Sequence, residues 1–334
     1  MASIPPEMIN SIIKKKNLPS PEDVNISIDE INSFGDQESI NSMHGNMRSY
    51  RKMLNERITF ISHKLSEVIP FARENLYLIC AYSGSGKSTI AANVSYTLWK
   101  EGKKTLVISN EESKEDVLMR ISCIEHGVSF NDYKKGKMPN ALYKQCAMLM
   151  ADIAQYVKVL DVNYKNGLTT SVEGVKNMLE AVNGHDFSCV MIDYWQLIKR
   201  SNAQPGAKAY DILNDLRIWL GQYIKRANLP IVMFAQLHSL GKRQNKDLDS
   251  RIKHCPDIYE PSTVVIEAIP DWENKTTDFL IHKDRFGFAG AKITMAFDHG
   301  RFVDLDDNTL QKIREAKAAE LSDKIDSVMG KSDE

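Results

Sequence analysis

The sequence contains neither a long apolar run nor a paired set of cysteines. About 18 consecutive apolar residues are needed to cross a bilayer, and no stretch of the 334 residues approaches that length. The five cysteines are scattered without a Cys-x-x-Cys pair, which argues against the common structural zinc sites. The first residues also lack the pattern of a signal peptide. We therefore expect a soluble, reduced, cytoplasmic protein with no membrane partner.

The chain also lacks a basic excess, because its 43 lysines and arginines are matched by 44 aspartates and glutamates. This balance argues against a protein that binds nucleic acid through its overall charge. Positive charge is instead gathered in two local clusters, which consist of Lys242, Arg243 and Lys246, and of Arg251 and Lys253. Each cluster is either a nucleic-acid contact or a solvated loop, and both interpretations stay open at this point.

What the sequence does contain is a phosphate-binding motif. An apolar run over 76–80 leads into a loop of small residues, and a helical pattern follows the loop. The residues of the motif are Ala81, Ser83, Gly84, Ser85, Gly86, Lys87, Ser88 and Thr89. In such a loop the backbone amides surround phosphate oxygens, the lysine reaches the β- and γ-phosphates, and the following hydroxyl can bind Mg²⁺. We expect the loop to bind a nucleoside triphosphate.

One position departs from the usual form of this motif. Ala81 stands where glycine is usual, and we expect this small residue to fit if its φ is negative. The alternative to a phosphate loop is a Gly/Ser turn that carries a lysine by chance. The strand before the loop and the helix after it favour the phosphate loop.

Three further polar residues follow predicted strands, at the carboxyl edge of a parallel sheet where ligands bind. Asp193 ends an apolar strand and offers a carboxylate for Mg²⁺, or else caps a turn. Glu111 follows the strand 104–109 and can accept a proton from an attacking water, or else favours the start of the next helix. Gln236 ends the strand 230–236 and can sense the γ-phosphate, or else begins a loop. Together these residues predict hydrolysis as well as binding.

Short apolar runs alternate with amphipathic stretches, which is typical of an α/β protein with a mostly parallel sheet flanked by helices. The predicted strands are 76–80, 104–109, 157–161, 189–193, 230–236, 264–268, 278–283 and 293–297. The predicted helices are 87–101, 114–126, 141–154, 171–183 and 208–227. The last two strands are predicted to form an antiparallel hairpin at the edge of the sheet.

Several motifs recur in a fixed order along the chain: 83–89, 108–113 followed by Met119-Arg120, 191–197, 234–237 and 283–287. This series resembles the hexameric replicative DNA helicases of the DnaB type. The most specific match is the run Ile192-Asp193-Tyr194-Trp195-Gln196-Leu197, which extends the predicted Mg²⁺ strand beyond the generic pattern. The resemblance implies a RecA-like P-loop NTPase core.

The resemblance also implies an organisation in three parts. Residues 58–305 would form the helicase motor, preceded by an arm over 1–57 that docks on an adjacent subunit, with a disordered tail as the alternative for residues 18–45. Residues 306–334 would form a charged helix and tail. The large N-terminal domain that is usual in the family is not part of this sequence, so we expect a version of the shortened phage type.

The roles suggested above for the phosphate loop, Asp193, Glu111 and Gln236 are those that the family assigns to the matching positions. Lys283 and Arg285 match positions from which the family supplies cations to the neighbouring subunit. The alternative is that these two side chains only solvate a hairpin turn. A cation supplied across the interface between two subunits, here called the seam, would make hydrolysis depend on assembly.

The segment that grips DNA in this family departs from its usual pattern here. Pro256 stands near the position of a glycine, and Thr263 near that of an aspartate. Lys253 can still contact a phosphate, so we keep both basic clusters as candidate DNA contacts.

The resemblance therefore predicts an enzyme, an ATP-dependent helicase that hydrolyses ATP or another NTP with Mg²⁺. It would move along single-stranded DNA as a hexameric ring or spiral, in a bacterial or phage-infected cytoplasm. The implied partners are single-stranded DNA, further copies of the chain, and a primase, helicase loader, polymerase or single-strand-binding protein. Two alternatives stay open: a RecA/RadA-like recombinase ATPase that forms filaments, and an accessory ATP-binding replication protein without unwinding activity.

Overall fold

The structure is a computed structural model, and it describes residues 58–315 except 167, 184–186, 200–207, 228, 239–246, 307, 310, 313–314. The predicted arm over 1–57 lies outside the described residues, as does most of the predicted helix and tail over 306–334. The predicted division into three parts therefore stays a prediction. Among the described residues, no helix is long and apolar enough to span a bilayer.

The centre of the described part is one mixed sheet of nine strands, in the order β3-β2-β4-β5-β1-β6-β7-β8-β9. The strands β1 to β6 pair in parallel, and β6 to β9 pair antiparallel. Their bounds are β1 Leu76–Ala81, β2 Thr105–Ser109, β3 Val157–Leu160, β4 Cys189–Asp193, β5 Ile231–Gln236, β6 Val264–Asp271, β7 Thr276–Asp284, β8 Lys292–Asp298 and β9 Arg301–Asp304.

Helices cover both faces of the parallel part of the sheet. Their bounds are α1 His63–Val68, α2 Lys87–Lys100, α3 Lys114–Glu125, α4 Phe130–Lys134, α5 Asn140–Tyr156, α6 Val172–Val182, α7 Ala209–Tyr223 and α8 Leu248–Arg251. Serine side chains cap the start of three of them, and at α1 the hydroxyl of Ser62 accepts from the amide of Leu65. The hydroxyl of Ser113 accepts from the amide of Asp116 at the start of α3, and that of Ser171 accepts from Gly174 at the start of α6.

The strand β1 shows how the core is built. Every residue of β1 is buried, and the side chains alternate between two apolar clusters. Tyr77 and Ile79 pack in the cluster that includes residues of α2 and α3, whereas Leu76 and Leu78 pack in the one that includes α6 and α7. Burial of each such aliphatic side chain contributes about 1.5–3 kcal/mol. A strand that is apolar on both sides is thereby held between two layers of helices.

The α/β fold predicted from the sequence is confirmed, as are all eight predicted strands and all five predicted helices, within a few residues at their ends. The antiparallel part is larger than the predicted hairpin, because β6 also pairs antiparallel with β7 and because β9 was not predicted. In β9 only Phe302 is buried, so its pattern carries little signal. The helices α1, α4 and α8 were also missed, because six, five and four residues are too few for a clear period.

Candidate nucleotide site

The loop after β1 has the backbone of a phosphate cradle. Gly84 and Gly86 have φ angles of +74° and +87°, which residues with a side chain rarely adopt. Gly86 immediately precedes α2, whose first residue is Lys87, so the amides at the start of this helix face the loop. Ala81 is the last residue of β1, where extended backbone has a negative φ. The alanine at the first loop position is therefore accommodated, as expected.

The ammonium group of Lys87 lies among the predicted catalytic residues. Its Nζ donates to the carbonyl of Tyr82 at 3.4 Å and lies 5.4 Å from the centre of the Tyr194 ring. Burial lowers the pKa of Lys87, while the charges of Asp193 and Glu111 oppose that shift. The ammonium group is thus buried close to two carboxylates. Such a position is suited to binding phosphate oxygens.

Asp193 ends β4 in a buried position beside Ser88. Burial raises the pKa of Asp193 to about 6, whereas a hydrogen bond from Ser88 favours the carboxylate. The Oδ1 atoms of Asp193 and Asn110 are buried and have no hydrogen-bond partner among the described residues. Buried polar atoms normally have partners, so these two oxygens indicate a missing polar ligand.

The donor set around Asp193 fits Mg²⁺. This ion prefers oxygen ligands and is commonly held by one or two carboxylates together with phosphate oxygens and waters. Asp193 and Ser88 would supply the protein ligands. The described residues contain no group of three or more His, Cys, Asp or Glu side chains that could hold a metal. A metal bound here would therefore take most of its ligands from nucleotide and water.

Glu111 and Gln236 open into the same cavity as the phosphate loop. The cavity has a volume of about 450 Å³, and its lining includes Lys87, Ser88 and Thr89. Glu111 is exposed there, two residues after the end of β2. Gln236 is the last residue of β5 and is half-buried. The structure thus brings together the predicted base, sensor and phosphate loop, which lie at the carboxyl ends of the parallel strands β2, β5 and β1.

Aromatic residues that the sequence did not single out line the outer part of this cavity. Trp272 is 60% exposed, and its ring lies edge-on to Phe297, with 6.0 Å between the ring centres. Trp272 comes from the turn after β6, and Phe297 from the end of β8. The one signal in the sequence is a tryptophan inside the polar turn Asp271-Trp272-Glu273-Asn274, where a large apolar residue is unexpected.

Arg120, which the sequence analysis names within a motif but assigns no role, lies on α3 at the edge of the cavity. Its guanidinium group pairs with Glu112 and lies 4.0 Å from the centre of the Phe130 ring. Glu112 is therefore occupied by an ion pair, whereas Glu111 faces the cavity. The two consecutive glutamates therefore have different surroundings.

Residues 63–304 match the family model described as "DnaB-like helicase C terminal domain". The chain belongs to this family. Family membership implies nucleotide binding, and it favours the helicase interpretation of the motifs over the recombinase alternative. The match covers the sheet, the phosphate loop and the strand ends described above.

Curated relatives point in the same direction. The replicative DNA helicase DnaB of Geobacillus stearothermophilus is 23% identical over 248 residues, which cover 71% of this chain and 54% of that protein. The replicative DNA helicase DnaC of Bacillus subtilis (strain 168) is 23% identical over 250 residues, with the same coverages of 71% and 54%. The chain thus spans about half the length of the curated relatives it matches.

Solved structures share the fold. One solved ATPase domain has a TM-score of 0.65 at 16% identity, and the match covers 81% of this chain and 100% of that one. A DnaB-like replicative helicase, described together with its interactions with primase, has a TM-score of 0.65 at 16% identity over 90% of this chain and 75% of that one. At such identities the likeness shows the RecA-like fold alone.

In this DnaB-like chain, Lys283 and Arg285 do not line the cavity that holds Lys87. The Nζ atom of Lys283 donates to the carbonyls of Tyr259 and Glu260, both at 2.8 Å. Arg285 donates to the carbonyl of Glu260 at 3.2 Å. Burial lowers the pKa of Lys283, and the nearby charge of Arg285 lowers it further. The predicted catalytic residues therefore form two separate groups within one chain.

The predicted DNA contacts have different outcomes. Lys242, Arg243 and Lys246 lie outside the described residues. Lys253 is half-buried, and its charge acts on Lys87, so it lies on the side of the phosphate loop. For Arg251 the DNA contact stays a prediction. Its side chain is 11% exposed and forms an ion pair with Glu267.

Proposed function

We propose that this chain is the motor of a replicative DNA helicase, which hydrolyses a nucleoside triphosphate with Mg²⁺ and moves along single-stranded DNA. One observation carries the proposal: a phosphate loop, an exposed glutamate and an amide at a strand end share one cavity in a DnaB-like domain. A phosphate loop alone supports binding only. Hydrolysis also needs a group that takes a proton from water, and Glu111 is available for that step.

The proposed reaction uses each residue of the cavity in turn. The loop amides and Lys87 bind the β- and γ-phosphates, and Asp193 with Ser88 would hold Mg²⁺, which would neutralise charge on the phosphate oxygens. A water oxygen attacks the γ-phosphorus while its proton passes to the carboxylate of Glu111. The bond from the γ-phosphorus to the bridging oxygen breaks, which leaves a nucleoside diphosphate and phosphate. Gln236 loses its contact with the γ-phosphate at this point.

The nucleobase would lie against the aromatic side chains at the outer part of the cavity. Trp272 and Phe297 provide ring surfaces, and ring stacking does not discriminate strongly among bases. A cavity of about 450 Å³ lies within the range of ligand sites. We therefore propose that the chain accepts ATP and other nucleoside triphosphates.

The charge on the transition state would be completed by a neighbouring copy. Lys283 and Arg285 are separate from the cavity of their own chain, yet a cation at the γ-phosphate accelerates such reactions by about 10³-fold or more. We propose that these two residues act across a seam in a hexameric ring or spiral. Single-stranded DNA would be held by Lys242, Arg243, Lys246 and Lys253 of several copies around a central channel. Because each copy contributes modest charge, the chain as a whole need not be basic.

Other replication proteins are proposed as partners of this chain. The DnaB-like helicase that shares the fold was described together with its interactions with primase. By analogy we propose a primase, a helicase loader, a polymerase or a single-strand-binding protein as partners of this chain.

The test compares hydrolysis and unwinding by the wild type, Glu111→Gln and a control, Glu115→Gln. Glu115 lies on the exposed first turn of α3, four residues further along. The wild type should show ATP hydrolysis that single-stranded DNA stimulates, and should separate a forked duplex. Glu111→Gln should bind nucleotide but lose hydrolysis by at least about 10²-fold, whereas Glu115→Gln should resemble the wild type. Stimulated hydrolysis without strand separation would instead favour a recombinase or an accessory motor.

A further inference from the structure

A buried carboxylate outside the catalytic cavity connects three segments that the proposed function uses. Glu267 lies on β6, where it pairs with Cys80 of β1, one residue before the phosphate loop begins. The residue is 3% exposed. A carboxylate in such a place is costly unless several hydrogen bonds compensate it. The partners of Glu267 therefore define what this residue does.

The first partner is Arg251, which binds both carboxylate oxygens. Nη1 donates to Oε1 and Nη2 to Oε2, each at 2.7 Å. Nη1 also donates to the hydroxyl of Tyr82 at 2.9 Å, and Tyr82 belongs to the phosphate loop. A bidentate contact of this kind fixes both the position and the orientation of the arginine. Arg251 is thereby tied to β6 and to the phosphate loop at once.

Arg251 also sits at the returning end of the segment that carries the basic cluster. Its carbonyl accepts from the amide of His238 at 2.7 Å, and the amide of Lys253 donates to the carbonyl of Gln236 at 3.0 Å. Arg251 is thus bonded to His238, and Lys253 to the last residue of β5. A change in the position of Arg251 would therefore shift Lys253, a candidate DNA contact, relative to Gln236.

The second partner is His282 on β7. Its Nε2 donates to Oε2 of Glu267 at 2.9 Å, and the next residue along the strand is Lys283. Burial raises the pKa of Glu267, but the hydrogen bonds from His282 and Arg251 outweigh it and hold this pKa below its usual value. The carboxylate is thus charged at neutral pH, with both oxygens engaged.

We infer that Glu267 is a positioning residue that links the phosphate loop, the backbone from Arg251 to Lys253 and the strand of Lys283, so that contact of Lys253 with DNA changes the rate of hydrolysis. This inference rests on the proposed function, because it concerns stimulation of hydrolysis by single-stranded DNA. Glu267 touches neither nucleotide nor metal in this account. Its effect passes through Arg251 and Tyr82 on one side and through His282 on the other.

The test measures kcat and KM for ATP, with and without single-stranded DNA, for Glu267→Gln. The amide keeps the shape but offers one acceptor oxygen to Arg251 where the carboxylate offers two. We expect KM and the basal rate to stay within about twofold of the wild type, and the stimulated kcat to fall about tenfold, a typical coupling within one hydrogen-bond network. The control is Glu180→Gln, which breaks an exposed pair with Arg226 and should leave stimulation unchanged.

A second variant separates positioning from stability. Removing one member of a buried pair destabilises a fold more than replacing both members. The double variant Arg251→Met with Glu267→Leu should therefore melt closer to the wild type than Glu267→Gln, yet still lack stimulation. Full stimulation in either variant would overturn the inference while leaving the proposed function intact. A wild type whose hydrolysis does not respond to DNA would overturn both.

Discussion

Gln196 holds the backbone of Gln236 with both ends of its side-chain amide. Its Oε1 accepts from the amide of Gln236 at 3.2 Å, and its Nε2 donates to the carbonyl of Gln236 at 3.1 Å. Gln196 follows the strand that ends in Asp193. The residue proposed to sense the γ-phosphate is therefore fixed to the segment proposed to hold the metal.

The variant Gln196→Glu tests this relationship. A glutamate keeps the acceptor for the amide of Gln236 but loses the donor to its carbonyl, and it places negative charge near the phosphate site. We expect kcat to fall by about tenfold or more. The lost hydrogen bond and the repulsion between the new carboxylate and the phosphates would together raise the activation free energy by about 1.5–3 kcal/mol. Steady-state kinetics give kcat, and circular dichroism checks the fold. A kcat equal to that of the wild type would show that Gln196 does not position the sensor.

The buried Asp193 predicts a specific dependence of stability on pH. Its pKa is raised to about 6, above the value of about 3.9 for an exposed aspartate. A raised carboxyl pKa means that the folded state favours the protonated form, so this group opposes folding as pH rises from about 4 through 6. The penalty above pH 6 is about 3 kcal/mol at most.

The variant Asp193→Asn removes that penalty. Without metal and nucleotide, it should melt at a higher temperature than the wild type at pH 7.5, and the difference should shrink as the pH is lowered toward about 4. Thermal unfolding of both proteins across this range checks the prediction. A difference that is constant with pH, or that grows toward acid, would be inconsistent with a buried Asp193 whose pKa is raised.

A substitution in the aromatic pair of Trp272 and Phe297, at the outer part of the cavity, should change KM but not kcat. Trp272→Ala should raise KM for ATP by about 5- to 150-fold, because stacking a base on an aromatic ring contributes about 1–3 kcal/mol. The kcat should stay within about twofold, because stacking is the same in ground and transition states. Trp272→Phe is the matched control and should keep most of the affinity. Loss of kcat with unchanged KM would place Trp272 outside the base site.

Much of this site could be predicted from the sequence because local signals carry it. The phosphate loop follows a strand and precedes a helix, and Asp193 and Gln236 stand where apolar strands end. The carboxyl ends of parallel strands share one edge of the sheet. The strand pattern was therefore enough to predict that these residues lie close together.

The rest could not be predicted because it depends on pairing between distant segments. Trp272 and Phe297 meet the cavity only through the antiparallel strands, whose extent was underestimated. The pairing of Arg251 with Glu267 joins residues from a short helix and an inner strand. From the sequence Arg251 is one of several basic residues in a polar stretch, and Glu267 is an isolated acid in an apolar strand.

The central claim is that nucleotide is hydrolysed at a seam to which one copy gives the cradle and another the cation. The most direct test mixes two inactive variants, Glu111→Gln and Arg285→Ala, before assembly. In mixed rings about one seam in four combines an intact Glu111 with an intact Arg285, so ATP hydrolysis should return to about a quarter of the wild-type rate. If the mixture stays as inactive as its components, or if Arg285→Ala alone is active, the shared seam is contradicted.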